Sequence, residues 1–223
     1  MAIPVSNEGN FKRELIEAGT YFARCYQMID LGTQVGEYQG KETRMRKILL
    51  GFELPTEQRV FKDKDGNETQ SPCVLSREFT LSLGDKSKLL PFLQAWRGKD
   101  FTADQIKKFD VTVLLGVACM LGVSVGTSKK GNQYNEITGI TPVMKGFQPI
   151  PAVLEATEFT MFHENGTLDE HFNTSIFDRL PSWIQDKIKA SEEYKSLGWA
   201  STETKTVSNT STKIEDPADD LPF

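Results

Sequence analysis

Residues 20–34 alternate between apolar and polar side chains with the two-residue period of a β-strand. Tyr21, Ala23, Cys25, Ile29 and Leu31 fall on one face, with Gln27 as the exception; Phe22, Arg24, Tyr26, Met28 and Asp30 fall on the other. A stretch with two glycines, "VGEYQGKE", predicts a turn, and "TRMRKILLGFELP" predicts a second strand closed by Pro55. Residues 56–72 are polar and hold an Asp-Gly pair, so they read as a long loop or a mobile hairpin. A third strand follows at "VLSREFTLSL". The period then lengthens. Leu89, Leu90, Phe92, Leu93 and Trp96 recur at helical spacing behind Asp85 as N-cap, with Pro91 marking a kink or a later start. A second short helix is predicted at "TADQIKKF", capped by Thr102. Strand character resumes over "VTVLLGVACMLGVSVG", turns at "TSKKGN" and returns over "QYNEITGITPV".

Three strands, a helix and two strands is the order of an OB-fold, a five-stranded Greek-key barrel with its helix between strands three and four. The expected fold class is therefore mostly β with helices. Beyond residue 148 the texture changes. Residues 149–199 read as extended chain followed by short helices, one capped by Ser182 and another by Ser191, packing on the barrel. Residues 200–223 are rich in Thr, Ser and Asn and poor in apolar side chains, which predicts a flexible linker. The expected units are thus 1–148, 149–199 and 200–223.

The net charge of −5 argues against a generally basic surface, but the charge is unevenly spread. Residues 1–148 carry 20 Lys and Arg against 17 Asp and Glu. Residues 149–200 carry 4 against 9, and residues 201–223 carry 2 against 5. The acidity belongs to the C-terminal third. No signal-peptide pattern or membrane-length apolar run is present, so an intracellular, non-membrane protein is expected. Cys25, Cys73 and Cys119 lack metal-binding spacing; Cys25 and Cys119 sit in apolar runs, which suggests small core residues. Without a secretory route, the Asn67, Asn165, Asn173 and Asn209 sequons are chance matches.

Catalytic signatures are lacking. The two histidines, His163 and His171, have no cysteine nearby, and no phosphate-binding loop, dinucleotide fingerprint or nucleophile elbow occurs. No enzyme, metal or cofactor is expected. The sequence instead interleaves cations with aromatics. Arg24 and Tyr26 share a strand face, Tyr38 and Lys41 lie in the following turn, and Arg44, Arg46 and Lys47 open strand two. Lys129 and Lys130 form a hairpin tip, followed by Tyr134. On a barrel groove such cations would neutralise phosphates, and such aromatics would stack on unpaired bases. Each of these residues also has an ordinary reading as a solvated strand end or hairpin tip.

The C-terminal "DPADDLPF" resembles the tip of bacterial single-stranded DNA-binding proteins, with Asp219, Asp220, Leu221, Pro222 and Phe223 in register. The blocks "AGTYFARCYQMIDLGTQ", "RKILLGFELP", "LLGVACMLGVSVGTSKKGNQYNEITGITPVMKG" and "LPSWIQDKIKASEEYK", in that order, resemble phage-encoded OB-fold single-stranded DNA-binding proteins. The resemblance implies a protein that coats single-stranded DNA during phage replication or recombination in the host cytoplasm. It also implies recruitment of replication or recombination proteins through residues 219–223. The long 55–73 loop, the helical insert at 85–109 and the 149–199 segment depart from the bacterial protein, which leaves open whether its tetrameric assembly, or any homo-oligomer, carries over. The alternative is an OB-like protein-interaction module that binds no DNA.

Overall fold

The structure, a computed structural model, describes residues 15–62, 68–148 and 150–198. Its elements are β1 (Gly19–Tyr38), β2 (Lys41–Lys62), β3 (Glu68–Thr80), α1 (Leu89–Arg97), α2 (Ala103–Lys107), a 3-10 turn (Val111–Leu114), β4 (Ala118–Thr127) and β5 (Gln133–Thr141). They continue with β6 (Thr157–Phe159), α3 (Thr174–Phe177), α4 (Ser182–Ala190) and α5 (Glu192–Ser196). One sheet runs β3-β2-β1-β4-β5, antiparallel throughout, and β6 joins β1 in parallel. The sheet curls into a half-barrel. Its outer strands approach each other where Arg77 on β3 donates to the Ile137 carbonyl on β5 at 3.0 Å. No described helix is long and apolar enough to cross a membrane.

The central strand does not keep the strict alternation expected of it. β1 bulges between Cys25 and Gln27 and again between Asp30 and Gly32. A bulge adds one residue and reverses which face the following side chains meet. Ala23 and Cys25 therefore share the barrel interior with Met28, while Ile29 and Leu31 turn to the outer face. This corrects the alternation read from the sequence, which put Ile29 and Leu31 on the face of Ala23 and Cys25 and Met28 on the other. The reversal gives the sheet two buried faces and two apolar cores.

The inner core gathers Ile48, Leu50, Phe52 and Leu54 of β2 against α1. Phe92 lies 4.7 Å from Phe79 and Trp96 lies 5.5 Å from Phe52, measured between ring centroids. The Trp96 indole N–H is satisfied by the Ala118 carbonyl at 3.1 Å. Ser87, rather than Asp85, accepts the first free amides of α1, those of Leu89 and Leu90. Pro91 falls in the first turn, where its missing N–H costs no helical hydrogen bond. Thr102 and Gln105 form the capping box of α2. Residues 111–114 wind into the 3-10 turn instead of the expected strand, so β4 begins only at Ala118.

The predicted turn, and the stretch read as a loop or a hairpin, both join antiparallel strands, as the turn and the hairpin alternative expect. β1 runs on to Tyr38 and the chain reverses at Gln39 and Gly40. β2 continues past an irregularity between Leu54 and Gln58 and pairs with β3 as far as Lys62 opposite Glu68.

The outer core is built by the C-terminal segment. Phe159, Met161, Phe172, Phe177, Ile184 and Ile188 cover Ile29, Leu31 and Leu49. α5 sits close against the second bulge because Gly32 has no side chain. A Cβ there would lie 2.6 Å from the Ser191 Cβ, and the backbone φ of +69° also favours glycine. Ser191 caps α5 by accepting from the Tyr194 amide at 3.2 Å. α4 has Pro181 at its N-cap and no side-chain cap, in place of the expected Ser182.

Candidate functional site

The sequence-selected cations and aromatics divide by what surrounds them. Arg24 is committed internally. Its guanidinium pairs with Glu53 at 2.5 Å and donates to the Leu154 carbonyl at 2.7 Å. Glu53 is fully buried and also accepts from the Leu154 amide at 2.6 Å and the Val153 amide at 3.3 Å. This cluster clamps residues 153–154 onto β1 and β2. Tyr26 lies beside it. Burial, reinforced by the Glu53 charge, pushes its phenol up to about 12.

Arg46 and Lys47 are likewise tied to neighbours. Arg46 pairs with the buried Asp30 and stacks over the Phe162 ring at 3.8 Å, while Thr160 donates to the same Asp30 carboxylate at 3.1 Å. Lys47 and Lys187 each hold Glu78 at 2.6 Å, joining β2, β3 and α4. Burial pushes the Glu78 carboxyl up, but hydrogen bonds from Lys187 and Lys47 outweigh it and hold it below the usual range. Arg44 is exposed and bridges Glu42 at 2.9 Å and Glu192 at 3.2 Å. The Thr33 amide and hydroxyl both donate to Glu193 at 2.6 Å.

The remaining candidates stand at hairpin tips. Tyr38 is 67% exposed at the end of the β1–β2 hairpin, with Lys41 beside it. Lys129 and Lys130 are exposed at the β4–β5 tip. Among the described residues no carboxylate pairs with Lys41, Lys129 or Lys130. Tyr134 lies across Gly126 of the neighbouring strand, where a Cβ would come within 2.9 Å of the ring. Gly126 thus lets the phenol lie flat on the sheet.

Register places the two tips far apart. Tyr38 ends β1, whereas Gly19 at its start pairs with Val123, on the way to the β4–β5 tip. The candidate cations and aromatics therefore do not meet in one barrel groove, and the C-terminal segment lies on the outer face of β1 and β2. Arg24 and Arg46 hold that segment directly and Lys47 shares Glu78 with Lys187 of it, with Arg46 and Lys47 still partly open to solvent. Asp219, Asp220, Leu221, Pro222 and Phe223 lie outside the described residues.

Two features escaped the sequence reading. The Phe22 and Phe147 rings stack with centroids 5.2 Å apart and planes 8° from parallel. A cavity of about 870 Å³ opens between α1, α2 and the start of β4, lined by Leu93, Trp96, Phe101, Phe109 and Pro142, with Arg97 and Lys108 also in its wall. The signal for the cavity was the pairing of Phe101 with Phe109 in an otherwise polar stretch; their rings meet edge to face at 5.2 Å. Phe147 had no such signal, because its stretch has no period. Among the described residues, no cluster of three or more His, Cys, Asp or Glu is placed to hold a metal ion. Cys25, Cys73 and Cys119 are buried. Burial pushes the Cys25 thiol up to about 12 and raises that of Cys119 as well, so neither is poised as a nucleophile. No protein-family model matches this chain, and no curated protein matches it.

Proposed function

We propose that this chain is a non-enzymatic single-stranded DNA-binding protein of the OB-fold type, acting in phage replication or recombination. The observation that carries the reading is the pair of projecting hairpin tips, with three lysines unpaired by any described carboxylate and an exposed tyrosine. The strand order supports it, since β1 shared between β2 and β4, with a helix between β3 and β4, suits a Greek-key barrel. Lys41, Lys129 and Lys130 would contact phosphates, and Tyr38 and Tyr134 would stack on bases without reading sequence. The segment "DDLPF" is proposed to recruit replication or recombination proteins. An acidic segment with apolar anchors suits a basic, apolar-floored pocket on a partner.

A second reading has one observation in its favour. The apolar cavity beside α1 and α2 suits a peptide, as expected of a protein-interaction module. Electrophoretic mobility of oligo(dT) and of a duplex of equal length separates the two readings. The first expects retardation of the single strand at low salt. An unshifted single strand favours the second.

A further inference from the structure

We propose that the cavity between α1, α2 and the start of β4 is a docking site for this chain's own residues 219–223, "DDLPF". The docking stands on the cavity and needs no DNA binding. Its consequence, that a docked tip is withheld from partners, rests on the recruitment reading above. The cavity forms where the chain reverses. α1 ends at Gly98, which packs so closely on Pro142 that a Cβ would lie 2.8 Å from its ring. The chain then returns through α2 and the 3-10 turn, and the paired rings of Phe101 and Phe109 make one wall. Leu93 and Trp96 line the cavity from α1. Val113 and Val117 also line it, and they are 60% and 40% exposed. Apolar surface is thus left open to water around a space of about 870 Å³, a volume within the usual range of binding pockets, roughly 300–1,000 Å³.

Charge at the rim selects the occupant. Arg97 and Lys108 line the cavity, and Lys99 and Lys107 are exposed beside them in the chain. Among the described residues none of these four cations has a carboxylate partner. Arg97 is held over the Phe101 ring at 4.7 Å and donates to the Gln105 side chain at 3.0 Å. Asp104 and Asp110 share the lining, but Asp110 is occupied by the Thr112 amide at 2.9 Å. An apolar floor with unpaired cations at its edge suits an acidic peptide with apolar anchors. Residues 214–223 hold four carboxylates, no cation and the apolar run Leu221, Pro222 and Phe223. Residues 1–14, also outside the described structure, carry Lys12 and Arg13 and no acidic run. Reach permits the docking. The cavity meets β1 where the Cys25 amide donates to the Val117 carbonyl, and α5 meets β1 at Gly32. Those points are seven residues apart, roughly 23 Å at the usual strand rise. Twenty residues, 199–218, precede the tip. A polar linker of that length spans roughly 25 Å as a coil and about 65 Å when fully extended, enough to pass around the sheet. The Lys129–Lys130 tip lies at the other end of β4, roughly 30 Å from Ala118, so a docked tail leaves it open.

The test compares methyl and amide NMR spectra of the full chain with those of a tip variant, Leu221→Ala with Phe223→Ala, at several protein concentrations and without DNA. Resonances of Lys108, Val113 and Val117 should differ between the two, and those of Tyr38, Lys129 and Lys130 should not. A synthetic peptide of residues 214–223, titrated into the tip variant, should restore the wild-type positions and saturate. Val113→Asp, at an exposed position, should weaken that titration about tenfold or more, the scale of one apolar side chain left unburied. Arg97→Glu should weaken it about two- to five-fold, by an amount that shrinks as salt rises. Thermal melting checks that each variant is folded. Identical spectra for wild type and tip variant would overturn the docking, as would unchanged peptide affinity in folded Val113→Asp. Differences that grow with protein concentration would assign the cavity to the tip of a second copy and overturn docking within one chain. With no DNA or partner present, any of these failures leaves the single-strand reading and partner recruitment standing. Absence of oligo(dT) binding would overturn the single-strand reading and leave the docking in place.

Discussion

Arg24 and Glu53 form an ion pair at 2.5 Å in which the carboxylate is fully buried and the guanidinium side chain is 16% exposed. The pair does more than balance charge. It organises three further hydrogen bonds to the backbone of Val153 and Leu154, and so fixes where the C-terminal segment crosses the sheet. Removing one partner strands the other in a low-dielectric site, which costs about 3–5 kcal/mol. Glu53→Ala should lower unfolding stability by that amount in urea titrations. Replacing both, as Arg24→Met with Glu53→Leu, should recover only part of the loss, because the two amides still lack an acceptor. Full recovery would show that the backbone bonds contribute little.

The Lys47–Glu78–Lys187 bridge predicts an acid sensitivity. Glu78 titrates lower in the folded chain than in the unfolded one. Its contribution is therefore present above the unfolded pKa and is lost as pH falls through the folded value. Thermal melts across the acid range should show wild type losing stability relative to Glu78→Gln, with the two curves converging at the lowest pH. A constant offset at every pH would contradict the bridge.

Tyr26 provides a spectroscopic mark for the covered face. Its phenol is expected to ionise near 12, well above the ordinary tyrosine value, because burial beside Glu53 disfavours the anion. Tyrosinate absorbance should therefore include a late step that disappears in Tyr26→Phe. Ionisation of every tyrosine in one step near 10, while the chain remains folded, would place Tyr26 in solvent.

The tip lysines should account for much of the salt dependence of DNA binding. On single strands the log–log slope changes by about 0.7 for each phosphate neutralised. Replacing Lys41, Lys129 and Lys130 by alanine should reduce that slope by about 2 and leave the melting temperature unchanged. Replacing Arg46 and Lys47 should instead lower stability, since both hold carboxylates within the fold.

The legible part of the fold was the order of its elements, because each strand and helix carried its own period. Local signals also held for the Thr102 capping box and the Ser191 cap. What periodicity could not show were the bulges of β1, which depend on pairing with β2 and reverse the roles of Met28, Ile29 and Leu31. That reversal bears directly on the site. A sheet with one buried face would leave Arg24, Tyr26, Arg46 and Lys47 open to solvent. With the second face covered by residues 150–198, these side chains are drawn into clamps, and the candidate cations left without a described carboxylate partner are the lysines at the hairpin tips. Sequence marks a cation readily, but its partner at a separation of a hundred residues or more, as with Glu78 and Lys187, is set by the fold.

The central claim is that this chain binds single-stranded DNA through backbone charge and stacking. Titration of the full chain with oligo(dT), followed by intrinsic fluorescence at a series of salt concentrations, tests it most directly. The account predicts sub-micromolar binding at low salt, of about 1 µM or tighter, with quenching and a steep loss of affinity as salt rises. No binding at low salt, or binding indifferent to salt, would contradict it.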